Sequence, residues 1–471
     1  MVLWWLAGCS LGVTQWEPCT SSVACRQAFG LGSVCGEGGY CETAEVQPRC
    51  DTTWPADLLD RPEDYPGIRV IGSLFDHSTD VPEKQSARLA VKQADESEGI
   101  GGAPLGLVQC SYAEDSTIDG LDAEAAAIAM ASYLVADLGA YAIVGPATSG
   151  VTEAVYQGVD GPLIVSPSAT SPALTYLDAA DHDPGEAGRL WRTAPPDSLQ
   201  GEVLAGLVQD AVFTRVQHVA LIYQVGPYGE GLAQVFADHY GNADRTFDRY
   251  PFENDTQRDS AMSSAAVPAT DAIVFISSDV PDVSAFLLAL SVDADAPAMP
   301  IFLADAAHDA ELLAATEGTD AEDLWPNIVG TSPAVPSGDR YDAFAAAYAG
   351  AYDGQSAGDS SYSAYAYDAA WLTIYGATWA LAEEGGLTGQ HAANGLTHLS
   401  AKGGEEIATG PVSWLQLQAE FAKGTDVNVV GASGELDYDP DTEETTGPIE
   451  VWGIDRVGGE PGFVVLDTVA P

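Results

Sequence analysis

The stretch at residues 140–175, AYAIVGPATSGVTEAVYQGVDGPLIVSPSATSPALT, decides the fold. Two short apolar runs, 142–144 and 163–165, each lead into glycine, proline, serine and threonine and then into a helical pattern. Runs this short, bounded by turn residues, suit strands buried on both faces of a parallel sheet. Ser149 is placed to cap the first helix and Ser171 the second, with Pro172 where a missing N–H costs nothing. Two helix N-termini then point at the carboxyl edge of one sheet, where open α/β folds bind ligands. Their free N–H groups, hydroxyls and positive dipole ends favour an anion such as a carboxylate.

The same alternation extends outward. Residues 69–75 and 105–112 read as strands, and 82–94 and 121–138 as helices. WRTAPP at 191–196 is a short extended segment leaving this unit, and 216–223, 271–278 and 300–305 repeat the strand-then-helix pattern. Strands alternating with helices imply a doubly wound α/β structure. Residues 328–335 read as a crossover back to the first unit, followed by helices at 339–352 and 362–384. The stripe of Tyr, Ala and Trp in the latter reads as core, with Tyr362 and Tyr365 both open as cleft residues.

Charge limits the partners. The 471 residues carry 17 Lys plus Arg against 70 Asp plus Glu, a formal charge of −53, so no basic surface for nucleic acid can be assembled. Such acidity favours solubility, suits a salty habitat whose ions screen the self-repulsion, and disfavours dianionic ligands. No run downstream of the N-terminus approaches the roughly 18 apolar residues of a membrane span.

Six of seven cysteines fall in the first fifty residues. Leu6-Ala7-Gly8-Cys9 resembles a bacterial lipobox, which implies a lipid anchor on Cys9, although no basic residue precedes it and the apolar segment is short. The remaining cysteines lack the CxxC pairs of a zinc ribbon and read as a disulfide knot, which needs an exported setting. Six cysteines allow fifteen connectivities. The pairing taken as the expectation is Cys19–Cys35, Cys25–Cys41 and Cys50–Cys110. The knot reads as a spacer without a ligand.

The order of IVGPATSG, PLIVSPSATSPALT, WRTAPPDSLQG and YGEGLAQVF resembles the type I periplasmic binding proteins, closest to the branched-chain amino-acid receptors of ABC transporters, over about residues 68–455. The resemblance implies two Rossmann-like lobes joined by three crossovers. The expected parts are a signal or lipobox-like segment (1–9), a Cys-rich module (10–50), a linker (51–67), lobe one (68–194 with 336–430), lobe two (195–335 with 431–455) and a tail (456–471). By the same resemblance, Ser149 meets a ligand α-carboxylate, Ser168 offers its carbonyl to the α-ammonium, and Thr170 touches both. Tyr228 faces the ligand from lobe two, and Asp305 pairs with the ammonium. Asp279 and His77 lie near strand ends and are weaker candidates. Thr148 stands where many relatives have a cysteine whose usual partner lies near Cys110, so the disulfide that the resemblance would imply between these two places cannot form.

Catalytic signatures are missing: the chain has no GxSxG, HExxH, GxxxxGK[ST], CxxC or GxGxxG after a strand. Asp437, Asp439 and Asp441 imitate a calcium loop, but Thr442 and Pro448 occupy its glycine and glutamate positions. No cofactor and no metal are expected. The leading expectation is a periplasmic or cell-envelope, lipid-anchored solute-binding protein that closes on an amino acid or similar zwitterion for an ABC transporter permease. The alternative is an envelope sensor acting through a signalling partner. A hydrolase using Ser149 with His77 is the remote third.

Overall fold

The computed structural model describes residues 18–115, 117–178, 186–210, 216–241, 245–267, 269–292 and 299–471. Cys9 lies outside these residues. The first lobe is built on six strands: β1 (Thr52–Trp54), β2 (Arg69–Phe75), β3 (Leu105–Ser111), β4 (Ala142–Val144), β5 (Leu163–Ser166) and β6 (Leu190–Arg192), in the order β1-β3-β2-β4-β5-β6. All pairs are parallel except β1 with β3. The second lobe has β7 (His218–Gln224), β8 (Thr246–Phe252), β9 (Ala272–Ile276), β10 (Ile301–Leu303), β11 (Ile328–Pro333), β12 (Ile449–Val457) and β13 (Glu460–Val469), in the order β8-β7-β9-β10-β11-β12-β13.

The two apolar runs of the deciding stretch lie side by side, with Ile143 opposite Ile164. Successive side chains leave on opposite faces, and both faces are covered. Ala142, Val144, Leu163 and Val165 join one core with α1 (Val81–Glu96) and the later helix 363–379, while Ile143 and Ile164 join another with α2 (Ala123–Ser132) and α3 (Ser149–Gly158). Continuous burial is why these strands read as unbroken apolar runs rather than alternating ones. Gly145 ends β4 at φ 93°, and a Cβ there would sit 2.2 Å from the Leu74 carbonyl oxygen, so the strand exit requires glycine. In the second lobe, α4 (Asp197–Asp210) and α5 (Pro227–Tyr240) cover one face of the sheet. Helix α6 (Val280–Ser291) covers the other. Helix α7 (Ser363–Trp379) is buried on every side up to its last residue, and its aromatic stripe is core as expected.

The disulfides are Cys19–Cys35, Cys25–Cys41 and Cys50–Cys110. The knot is fixed to lobe one, because Arg26 donates to the carbonyls of Ala136 and Asp137 at 2.5 and 3.1 Å. Arg49 forms a two-pronged pair with Asp119 at 2.8 and 2.5 Å and donates to the Ala113 carbonyl.

Four expectations need correction. The 51–67 segment is not a free linker, since β1 within it extends the lobe-one sheet by pairing with β3. The 456–471 tail is the outer strand of a long hairpin, β12–β13, at the edge of the lobe-two sheet. Residues 431–438, assigned to lobe two, pack in lobe one, where the buried Asp368 carboxylate accepts from the N–H groups of Ala432 and Ser433. The second helix of the deciding stretch is a single 3-10 turn, Pro172–Leu174, although Ser171 does cap it, accepting from Ala173 N at 3.2 Å.

The first and last crossovers meet at one buried cation. Arg192, 1% exposed at the end of β6, pairs through two nitrogens with Glu444 on the returning chain. It also donates to the carbonyls of Ala169 and Ser171 at 3.0 and 2.7 Å and to Thr175 Oγ1 at 2.9 Å. Its own carbonyl accepts from Tyr438 Oη at 2.8 Å. Removing one partner of such a buried pair strands the other, so Arg192→Ala is expected to cost about 3–5 kcal/mol in urea denaturation, and Arg192→Met with Glu444→Leu markedly less. A loss below about 1 kcal/mol for the single variant would show that the pair does not hold the crossovers.

Candidate functional site

The carboxyl edges of the two sheets face each other across a cavity of about 890 Å³. On the lobe-one side, α3 begins as the chain leaves β4. Its N-cap is Thr148, in extended backbone and with no side-chain capping bond, so Ser149 is the first helical residue and not the cap expected from sequence. Ser149 is 2% exposed, lines the cavity, and accepts from Ser171 N at 3.2 Å. By position, the first N–H groups of α3 have no acceptor within the helix. Ser168 also lines the cavity, its hydroxyl donating to the Ala147 carbonyl at 2.9 Å.

Thr170 is not brought to the wall. It is fully buried, and its hydroxyl donates to Asp197 Oδ2 at 3.0 Å, one layer behind the surface. Burial, with the charge of nearby Asp305, pushes the Asp197 carboxyl far above the usual carboxylate range. This reshapes the expected role of Thr170 from ligand contact to support for the crossover.

On the lobe-two side, Gln224 closes β7 and Tyr228 enters from the first turn of α5, which starts at Pro227 where the absent N–H costs nothing. Asp305, 6% exposed, follows β10 and lines the cavity. It accepts from Gln200 Nε2 at 2.9 Å, Tyr228 Oη at 2.5 Å and Tyr362 Oη at 2.6 Å. Tyr362 comes from lobe one, so this carboxylate joins the lobes, and the sequence's open choice between Tyr362 and Tyr365 is resolved. Tyr365 instead donates to the Ala334 carbonyl. Asp279 lines the cavity and accepts from Gln224 Nε2 at 2.9 Å; burial raises its carboxyl above the ordinary range.

His77 does not reach the cavity wall. Its Nδ1 lies 3.2 Å from Asp51 Oδ1, and burial lowers its pKa to about 4. The Ser149–His77 pair that a hydrolase would need is therefore not assembled. His308 does line the cavity, with Nδ1 2.8 Å from Ser361 Oγ, and burial lowers it to about 4 as well, which keeps it neutral near pH 7.

Sequence reasoning missed the acidity of the cavity. Ten of its lining side chains are Asp or Glu and, among the described residues, none is Lys or Arg. Asp282 is neutralised from behind by Arg258 at 2.6 Å. At the start of α1, Asp80 accepts from Asp76 N and Tyr112 Oη, each at 2.9 Å. Glu83 Oε1 accepts from Ser360 Oγ, and its Oε2 has no hydrogen-bond partner among the described residues. The signal was present as TDVPEK at 79–84, but acids at the N-cap and third helical positions pass for ordinary capping. Asp80 makes no capping bond.

Burial and the neighbouring Asp80 push Glu83 up from 4.5 to about 8, and burial pushes Asp80 up to about 6. A carboxyl whose pKa rises on folding stabilises the protein below its unfolded value and loses that contribution as pH climbs through the folded one. Glu83→Gln is therefore expected to gain thermal stability relative to the parent as pH rises from about 4.5 to about 8. A difference in melting temperature that stays flat over that window would contradict the assignment.

The receptor family ligand binding region matches over residues 82–456. The chemotactic signal transduction system substrate-binding protein BasB of Halobacterium salinarum is 32% identical over 192 residues, 40% of this chain and 43% of that protein. The leucine-specific-binding protein of Salmonella typhimurium is 32% identical over 170 residues, 35% of this chain and 41% of that protein. The chain thus spans about two-fifths of the length of these curated relatives. Among solved structures, the branched-chain amino acid transporter substrate binding protein LivJ of Streptococcus pneumoniae in complex with isoleucine superposes with a TM-score of 0.60 at 20% identity, covering 86% of this chain and 99% of that one. A solute binding protein of an ABC transporter from R. palustris in complex with 4-hydroxybenzoate gives 0.62 at 16% identity, covering 86% and 98%. These two likenesses show the fold.

Proposed function

The chain belongs to the receptor family of ligand-binding regions, with the type I periplasmic binding protein fold, and on that premise we propose that it captures a small zwitterion, an α-amino acid, between its two lobes. The observation that carries this reading is Asp305. It is a buried carboxylate at the cavity wall, held by three neutral donors and, among the described residues, without an ion-pair partner. A buried charge without a counter-charge costs free energy that an incoming ammonium recovers. Across the cavity, the Ser149 hydroxyl and the first N–H groups of α3 suit a carboxylate. Anion at one wall and cation at the other describe an amino acid better than a hydroxybenzoate, which carries no ammonium for Asp305.

Closure follows the same logic. Asp305 of lobe two and Tyr362 of lobe one share a hydrogen bond, and Ser171 Oγ donates to the Pro227 carbonyl at 2.6 Å across the lobes. A ligand touching both walls favours the state in which they meet, in proportion to its differential affinity. The protein would act outside the cytoplasm as a binding protein and not an enzyme, anchored through Cys9, and pass its ligand to the permease of an ABC transporter. A second reading is supported by the kinship with the chemotactic substrate-binding protein: the closed form is read by a signalling partner instead. Radiolabelled uptake and tactic response in a deletion strain separate the two.

In a thermal-shift and calorimetric screen of the amino acids, at least one is expected to raise the melting temperature. Ser149→Ala and Asp305→Asn should each weaken that ligand by about tenfold or more, the loss of a charge-assisted contact. Unchanged affinity in both variants would refute the two-walled site.

A further inference from the structure

A single ammonium at Asp305 leaves the other end of the cavity unserved. There, Asp80 and Glu83 of α1 in lobe one face Asp309 of lobe two, whose charge is felt at Glu83. Glu83 is 6% exposed, and its Oε2 is buried without a hydrogen-bond partner among the described residues. Asp309 Oδ1 accepts from Glu311 N at 2.7 Å. None of the three makes an ion pair among the described residues. Burial and the crowding of these carboxyls keep the proton on Glu83, and a cation placed between them lets the group ionise and turns the repulsion between the carboxylates into attraction to a shared partner.

The two ends of the cavity are joined through Tyr362. Its hydroxyl sits on Asp305 Oδ2, and its backbone N–H donates at 3.1 Å to Ser360 Oγ, which in turn donates to Glu83 Oε1. One lobe-one segment, 360–362, therefore touches both carboxylates.

We infer that Asp80, Glu83 and Asp309 form a second cation subsite, so that the preferred ligand is an α-amino acid with a basic side chain, its α-ammonium at Asp305 and its distal cation at Glu83. This rests on the zwitterion reading above and narrows it to a substrate class. Lysine and ornithine carry the required ammonium on a flexible aliphatic stem, and arginine's guanidinium adds a planar fork suited to carboxylates. Ionising the subsite around such a cation also releases protons. The ionisable groups facing Glu83 are Asp80 on its own helix, Asp309 across the cleft and Tyr348 behind; those facing Asp80 are Asp76 and Tyr112, and those facing Asp309 are Glu311 and Asp359.

The test is calorimetry on the full chain with L-lysine, L-arginine, uncharged L-norleucine, the diamine cadaverine and calcium chloride. Lysine or arginine is expected to bind at least about tenfold tighter than norleucine, and the ratio should persist at about 1 M salt, where the Debye length falls to about 3 Å and the general acidic field is screened. Proton release, read from the heat in two buffers of different ionisation enthalpy, should accompany lysine and not norleucine. Glu83→Gln should erase most of the lysine-to-norleucine ratio. Norleucine or leucine bound as tightly as lysine would overturn the second subsite and leave the zwitterion reading standing, as would a preference lost at high salt. Cadaverine matching lysine would overturn the zwitterion reading, and calcium binding in place of every amine would overturn both.

Discussion

The buried guanidinium of Arg192 is the constraint on which the rest of the structure depends. It sits where the chain first leaves lobe one, and it binds Glu444 where the chain passes to lobe two for the last time. The same group orders the Ala169–Ser171 backbone, and that loop carries Ser168 to the cavity and Ser171 to Pro227. Connectivity, the second binding turn and the lobe contact thus share one charge. In a protein of net charge −53, a fully buried arginine has no shortage of acidic suitors. Selection of Glu444 is geometric, made by the fork of the guanidinium and the carbonyls around it.

The cavity wall is built in the opposite way, with no Lys or Arg among the described residues that line it. Asp305 is satisfied by an amide and two phenols. Neutral donors fix its orientation without spending its charge, so the electrostatic demand is left for whatever enters. At Glu83 a serine hydroxyl holds one oxygen and, among the described residues, leaves the other without a partner. Under the proposed function, selectivity for charge in this cleft would follow from the lack of Lys or Arg among the described residues that line it.

The layered α/β plan was legible because strands buried on both faces write themselves as apolar runs with turn residues at fixed ends. Ile143 beside Ile164 is the direct image of that pattern. Serine and tyrosine positions at strand exits were legible for the same reason, and Ser149, Ser168, Tyr228 and Asp305 all reach the cavity. Thr170 was not, because one residue of offset in a tight turn decides between facing the cavity and facing Asp197. The acidic end escaped notice because, among 70 acids, Asp80 and Glu83 look like routine helix-start residues. Only the approach of 309 and 360 from distant parts of the chain gives them a shared environment. The edge strands β1 and β13 were invisible for a related reason: half-exposed strands carry a mixed pattern that resembles linker or tail.

The fastening of the N-terminal knot has a mechanical corollary. Its disulfide to Cys110 ends on β3, and its two arginines grip the segments at 113–119 and 136–137, all in lobe one. A pull on the N-terminal segment is therefore delivered to the rigid sheet of one lobe and bypasses the three crossovers. In the proposed closure lobe one would be the stator and lobe two the moving arm, and a load on the N-terminal segment would leave that swing undisturbed.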